Sequence, residues 1–123
     1  MRRLARLRWA LPLLLLLQPA QAAEPVVRLV DFDAVVNPIT AHRIVQAVDD
    51  AEEQGDDLVL IEIDTPGGLL DSMETIVQRM LASKVPIVVW VGPAGAKAAS
   101  AGFFILMAAD VAAMAPGTRT GAA

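Results

Sequence analysis

LVLIEIDTPGG, residues 58–68, passes from an apolar run straight into a sharp turn. Leu58 to Ile63 is broken only by Glu62 and is too short for a buried helix, so it reads as a buried strand. Asp64-Thr65-Pro66-Gly67-Gly68 then reverses the chain with proline and two glycines. Leu69 to about Ser83 follows with helical spacing, placing Leu70, Met73, Ile76, Val77 and Met80 on one side. The unit is strand, turn, helix.

The same unit recurs on both sides. Upstream, Val26 to Phe32 reads as a strand. Asn37-Pro38 then starts a helix, with Asn37 as N-cap and Pro38 at the first helical position. That helix is expected to run to Gln54 and to be closed by Gly55. Ile39, Ile44, Val45 and Val48 fall near one face, and the acids Asp49, Asp50, Glu52 and Glu53 read as solvated surface. Downstream, Pro86 to Val91 is a third buried strand, Ala98 to Ala109 is expected to be a helix, and Val111 to Met114 a fourth strand. Pro116-Gly117 turns the chain into a further element. Strands alternating with helices imply an α/β fold, a parallel sheet with flanking helices. Near-continuous apolar strands suit a sheet covered on both faces.

Composition narrows the chemistry. Arg2, Arg3, Arg6 and Arg8 precede the apolar run Ala10 to Leu17, and Gln18 to Ala22 ends in small residues. Residues 1–22 thus read as a cleaved signal peptide, because the run is shorter than the roughly 20 residues that span a bilayer. Cleavage removes four of ten Lys+Arg and none of fourteen Asp+Glu, taking the formal charge from −4 to −8. Such acidity argues against nucleic acid as a partner. There is no cysteine and one histidine, His42, so neither a disulfide nor a zinc site of ordinary composition is expected.

Ligands of open parallel sheets bind beyond the carboxyl ends of the strands. Two features fall there. Gly67-Gly68 leaves backbone N–H groups uncovered by a Cβ. Ser100, the lone hydroxyl in GPAGAKAASAGFFILMAAD (residues 92–110), sits near a helix start, where N–H groups are unpaired. Together they could supply a nucleophile with an oxyanion hole from the N–H groups of Gly68 and Ala101. Singly, each is a common feature: an ordinary turn, and an ordinary cap or packing serine. Phe103, Phe104, Leu106 and Met107 read as core that could also wall a site for an apolar peptide. Trp90 reads as buried packing and Asp110 as a turn or cap residue.

Taken in order, Asp64-Thr-Pro-Gly-Gly68, the strand end Val91-Gly92, Ala98-Ala-Ser-Ala-Gly102 and Ala113-Met-Ala-Pro-Gly-Thr118 resemble the NfeD family. These are membrane-bound serine proteases of the ClpP class with a crotonase-like fold, and the resemblance covers residues 26 to 123. It implies Ser100 as nucleophile, Gly68 and Ala101 as oxyanion donors, and Gly67 and Leu69 as substrate-binding residues. It implies no cofactor and a homo-oligomer; the signal peptide implies export to the periplasmic or extracytoplasmic face of a membrane, and the composition no metal. The implied substrate is an apolar segment of a membrane-associated protein, with a stomatin-like partner. The family's base is a lysine on the order of 40 residues after the serine. Residues 23–123 are therefore expected to form the N-terminal part of the protease domain and to be inactive without that lysine. Lys97, three residues before Ser100, is the weaker candidate for the base, and His42 reads as an ordinary surface residue. Signal peptide peptidases of the same class are a close alternative. A non-catalytic exported scaffold is a second, and crotonase-type thioester chemistry, disfavoured by export, a third.

Overall fold

The computed structural model describes residues 19–121, and the basic and apolar parts of the expected signal peptide lie outside them. The chain runs β1 (Val27–Asp33), α1 (Pro38–Gln54), β2 (Leu58–Asp64), α2 (Leu70–Leu81), β3 (Ile87–Val91), β4 (Lys97–Ala99), α3 (Ala101–Met107), β5 (Val111–Met114) and β6 (Arg119–Gly121). The main sheet is parallel, in the order β1-β2-β3-β5. A second parallel pair joins β4 to β6.

Strand order follows chain order, and right-handed crossovers between adjacent parallel strands all return over the same face. The three helices therefore form one layer, in which α2 touches both α1 and α3. Burial follows that geometry. Val30 and Phe32, Ile61 and Ile63, and Val89 and Val91 stand side by side in register under the helices and are buried. The alternate residues Leu29, Leu60, Val88 and Trp90 are exposed or half-buried. Among the described residues helices cover one face of the sheet, where they were expected on both. Trp90, expected as buried packing, is instead half-buried with its ring folded over the bare Cα of Gly92.

α1 begins and ends as its sequence dictates. Asn37 Oδ1 accepts from the N–H groups of Ile39 and Thr40 at 2.9 and 3.0 Å, and Thr40 Oγ1 accepts from the Asn37 N–H. Gly55 closes the helix at φ 71°, ψ 35°. Ile44, Val48 and Ala51 are fully buried, whereas Ile39 is 75% exposed. Each fully buried Ile or Val contributes about 1.5–3 kcal/mol. Of the acids near the end of α1, Asp49 and Glu53 are exposed surface as expected, and Asp50 and Glu52 are half-buried. Asp49 and Glu52 pair with Arg79 of α2 at 2.8 and 3.0 Å, and Glu52 accepts the Lys84 N–H at 2.8 Å. Asp110 ties the start of β3, accepting the Ile87 N–H at 2.7 Å.

The expected helix at Ala98–Ala109 is shorter and opens later. Lys97 to Ala99 is extended because it pairs with two chain segments, β6 and Thr65. Each repeat thus has a strand in the main sheet, a short second strand or bridge, and a helix. The bridges Val36–Gly68 and Thr65–Ala98 serve as the second strands of the first two repeats.

Candidate active site

Thr65 is the first residue past β2, and it ties the turn to the strand that ends at Ser100. Its N–H donates to Lys97 O at 2.7 Å, and its carbonyl accepts the Ala99 N–H at 3.1 Å. Its side chain is fully buried, and Oγ1 accepts the Gly67 N–H at 3.2 Å. Gly67 O accepts the Val36 N–H at 2.8 Å, and the Leu69 N–H donates to Val36 O at 2.9 Å. The Pro-Gly-Gly turn is therefore gripped from two sides.

Ser100 stands at the junction of β4 and α3 with φ 52° and ψ −116°. Among the described residues it is the one non-glycine residue at positive φ. Such a backbone costs of order 1–3 kcal/mol and persists only where its surroundings impose it. Here they do: the Ser100 N–H donates to Gly121 O at 2.8 Å, and its carbonyl accepts the Phe103 N–H at 2.9 Å. The side chain is half-buried, and Oγ makes no hydrogen bond among the described residues.

Gly67 lies directly against this serine. A Cβ on Gly67 would come within 2.8 Å of Ser100 Cβ and 3.2 Å of Oγ. Gly67 itself is buried, with N–H and C=O both engaged inside the fold. Gly68 is exposed and packs its Cα on Val36, where a Cβ would fall 2.0 Å from the carbonyl oxygen. The Gly68 N–H has no acceptor among the described residues. Neither does the N–H of Ala101, which opens α3. The structure thus brings Ser100, Gly67, Gly68 and Ala101 to one place, with Leu69 exposed beside Gly68. A hydroxyl on a strained turn beside two free N–H donors can in principle attack a carbonyl and hold the oxygen that becomes negative.

Lys97 does not join them through helical spacing, because it lies on β4 and not on a helix. Alternation along the strand puts Ala98 in the core and Lys97 on the other side, and the Lys97 N–H bonds Asp64 Oδ1 at 3.0 Å. No hydrogen bond links its ammonium to Ser100 Oγ. His42 is exposed on α1, in a cleft shared with Asp71 and Thr75 of α2. Of the four apolar residues after Gly102 expected in the core, only Leu106 is buried. Phe104 and Met107 are 48% and 66% exposed and line a groove with Met73, Val77 and Leu81 of α2. Among the described residues no group of three or more His, Asp or Glu could hold a metal, and no helix is long and apolar enough to cross a membrane. Sequence reading missed Thr65. Its signal was a hydroxyl residue two positions before a glycine at a strand end, where Thr bonds its own downstream backbone.

Residues 26–123 match the family model for the N-terminal domain of NfeD1b. The chain belongs to the NfeD family. It is 50% identical over 72 residues to the membrane-bound protease PH1510 of Pyrococcus horikoshii, covering 58% of this chain and 16% of that protein. It is 31% identical over 104 residues to membrane protein NfeD1b of Bacillus subtilis, covering 85% of this chain and 23% of that one. This NfeD chain thus spans under a quarter of the length of these curated relatives. Among solved structures, the 1510-N membrane-bound stomatin-specific protease superposes with TM-score 0.79 at 37% identity, over 81% of this chain and 48% of that one. That structure is of a serine-to-alanine variant. A lysine-to-alanine variant of 1510-N, solved in complex with a substrate peptide, gives TM-score 0.77 at 38% identity, over 81% of this chain and 46% of that one. ClpP1 of Listeria monocytogenes matches with TM-score 0.69 at 26% identity, over 76% of this chain and 54% of that one. The fold is that of the ClpP-like protease domains.

Proposed function

We propose that this NfeD domain carries the nucleophile and oxyanion hole of a serine endopeptidase. The observation that carries the reading is the Ser100 backbone at φ 52°, ψ −116°, pressed against Gly67 and flanked by the free N–H groups of Gly68 and Ala101. Ser100 Oγ attacks the scissile carbonyl, its proton passes to a general base, and the tetrahedral oxygen is held by Gly68 and Ala101 N–H. The leaving amine takes the proton back, and water then releases the acyl group from Ser100. Leu69, 57% exposed beside Gly68, offers the substrate an apolar contact.

The base is a lysine outside residues 19–121, in a Ser-Lys dyad. The description of solved relatives as serine and lysine variants, one with a substrate peptide, supports this assignment. Residues 19–121 alone are accordingly inactive. The substrate is an apolar segment of a membrane-associated protein of the stomatin type, met on the extracytoplasmic side after export. The 1510-N protease, described as stomatin-specific, supports that choice.

The test is a fluorophosphonate probe on the protein expressed from its complete reading frame. Labelling is expected at Ser100, read by mass spectrometry, and should vanish in Ser100→Ala. Cleavage of a peptide from a stomatin-like protein should vanish with it. Equal cleavage by Ser100→Ala would remove the protease reading, and an unlabelled Ser100 in a folded protein would leave a binding scaffold.

A further inference from the structure

Thr65 belongs to neither the nucleophile nor the donor pair, yet it touches the elements that carry both. Its backbone pairs with Lys97 and Ala99 of β4, immediately before Ser100. Its Oγ1 accepts the Gly67 N–H, one residue before the Gly68 donor. Its methyl group lies under the first turn of α3, where a Cβ on Gly102 would fall 2.5 Å from Cγ2. One fully buried side chain therefore spans the donor turn, the strand into the nucleophile and the helix after it.

We propose that the Thr65 hydroxyl is a positioning group that fixes the distance between the Gly68 N–H and Ser100. The backbone ties of Thr65 survive any side chain, so they set β4 against β2 without help. The peptide joining Pro66 to Gly67 is different. Its N–H is buried, and Oγ1 is its acceptor. Without that acceptor the peptide must rotate to find another partner, because a buried N–H left unpaired is costly. Oγ1 also donates to Gly67 O at 3.4 Å, the carbonyl of the same planar peptide that carries the Gly68 N–H, so loss of the hydroxyl loosens the donor peptide as well. The Val36 N–H also holds Gly67 O, so this peptide tilts about that bond instead of flipping, and the tilt shifts the Gly68 N–H relative to Ser100. A donor displaced by about 1 Å acts on the transition state far more than on ground-state binding.

The inference rests on the protease reading, and fluorophosphonate kinetics on the complete protein tests the two separately. In the labelling step Ser100 Oγ bonds to phosphorus, fluoride leaves, and the hydroxyl proton passes to the base. The phosphoryl oxygen of the adduct then occupies the oxyanion position. Thr65→Val is expected to lower the maximal inactivation rate between about 10- and 100-fold while the probe's apparent affinity stays within about twofold. Thr65→Ser keeps the hydroxyl and loses the methyl beneath Gly102. It is expected to recover the rate to within about threefold of wild type even where its melting temperature falls. A merely structural role would make the rate follow melting temperature in both variants. Wild-type rates in a folded Thr65→Val protein would overturn the inference alone. So would a Thr65→Ser protein that melts like wild type but labels more than tenfold slower, an outcome readable even where Thr65→Val does not fold. Absence of Ser100 labelling in wild type would remove the protease reading and this role with it.

Discussion

Gly67 and Ser100 touch without a side chain between them: a Cβ on Gly67 would lie 2.8 Å from Ser100 Cβ. That contact gives a physical reason for glycine in the turn after β2. Position 67 must combine φ +109° with closeness to a residue fixed by two backbone hydrogen bonds.

Gly67→Ala is expected to destabilise the fold well beyond an ordinary left-handed glycine replacement. Gly55, at φ 71° with nothing near its bare Cα, is the internal comparison. Gly55→Ala should cost about 1–2 kcal/mol, the penalty for L-residues in that region. Gly67→Ala adds a contact with Ser100 Cβ and Ala99 O that neither can evade. Urea unfolding of the two variants should show the larger loss at position 67. Equal losses would mean that Ser100 moves aside freely.

Ser100→Gly is expected to be more stable than Ser100→Ala. Alanine retains the Cβ and hence the strain at φ 52°, ψ −116°, of order 1–3 kcal/mol, whereas glycine is free of most of it. Neither variant should react with a fluorophosphonate. Denaturant midpoints measure the difference, and an alanine variant at least as stable as glycine would mean the backbone is not held in that conformation.

The long apolar periods were legible in the sequence, and the short pairings were not. Asn37, Pro38 and Gly55 marked α1 at both ends, because each residue has a local reason to be there. Leu58–Asp64 and Ile87–Val91 stood out as strands for the same reason. Ala98 and Ala99 read as helix because alanines favour helix, and the extended shape of Lys97–Ala99 comes from partners 22 and 33 residues away. The candidate site could be listed from the sequence through the ordered motifs that resemble the NfeD family, since a glycine pair or a lone serine among alanines is by itself a common feature. What holds those residues together was not legible. Thr65, Val36 and Gly121 contribute mostly backbone bonds, which carry almost no sequence signature.

Lys97→Met is expected to leave the rate of Ser100 labelling unchanged within about twofold. β4 directs Lys97 away from the core residue Ala98, and its structural tie to Asp64 uses the backbone N–H, which methionine retains. Methionine also preserves the long apolar stem. Labelling kinetics on the complete protein, against wild type, measure the effect. A loss comparable to that of Ser100→Ala would make Lys97 the base and remove the need for a lysine elsewhere.

The packing of α1 on α2 should weaken in acid through Glu52. Its carboxylate accepts the Lys84 N–H and pairs with Arg79. Chiefly that backbone hydrogen bond, and then Arg79, hold its pKa below the ordinary 4.5. A carboxyl depressed in the folded state stabilises fully above its unfolded value and loses that contribution as pH falls through the folded one. The carboxylate is half-buried at the edge of the helix pair and still meets solvent, so the effect is small and screened by salt. Glu52→Gln keeps an oxygen for the Lys84 N–H and removes the charge. Wild type should therefore melt above Glu52→Gln at pH 7, and the gap should narrow as pH drops below about 4.5 and close once Glu52 is protonated in both states. A gap that persists undiminished at the acid end would place the difference in shape or packing, and the Glu52–Arg79 charge pair would then contribute nothing to the joint.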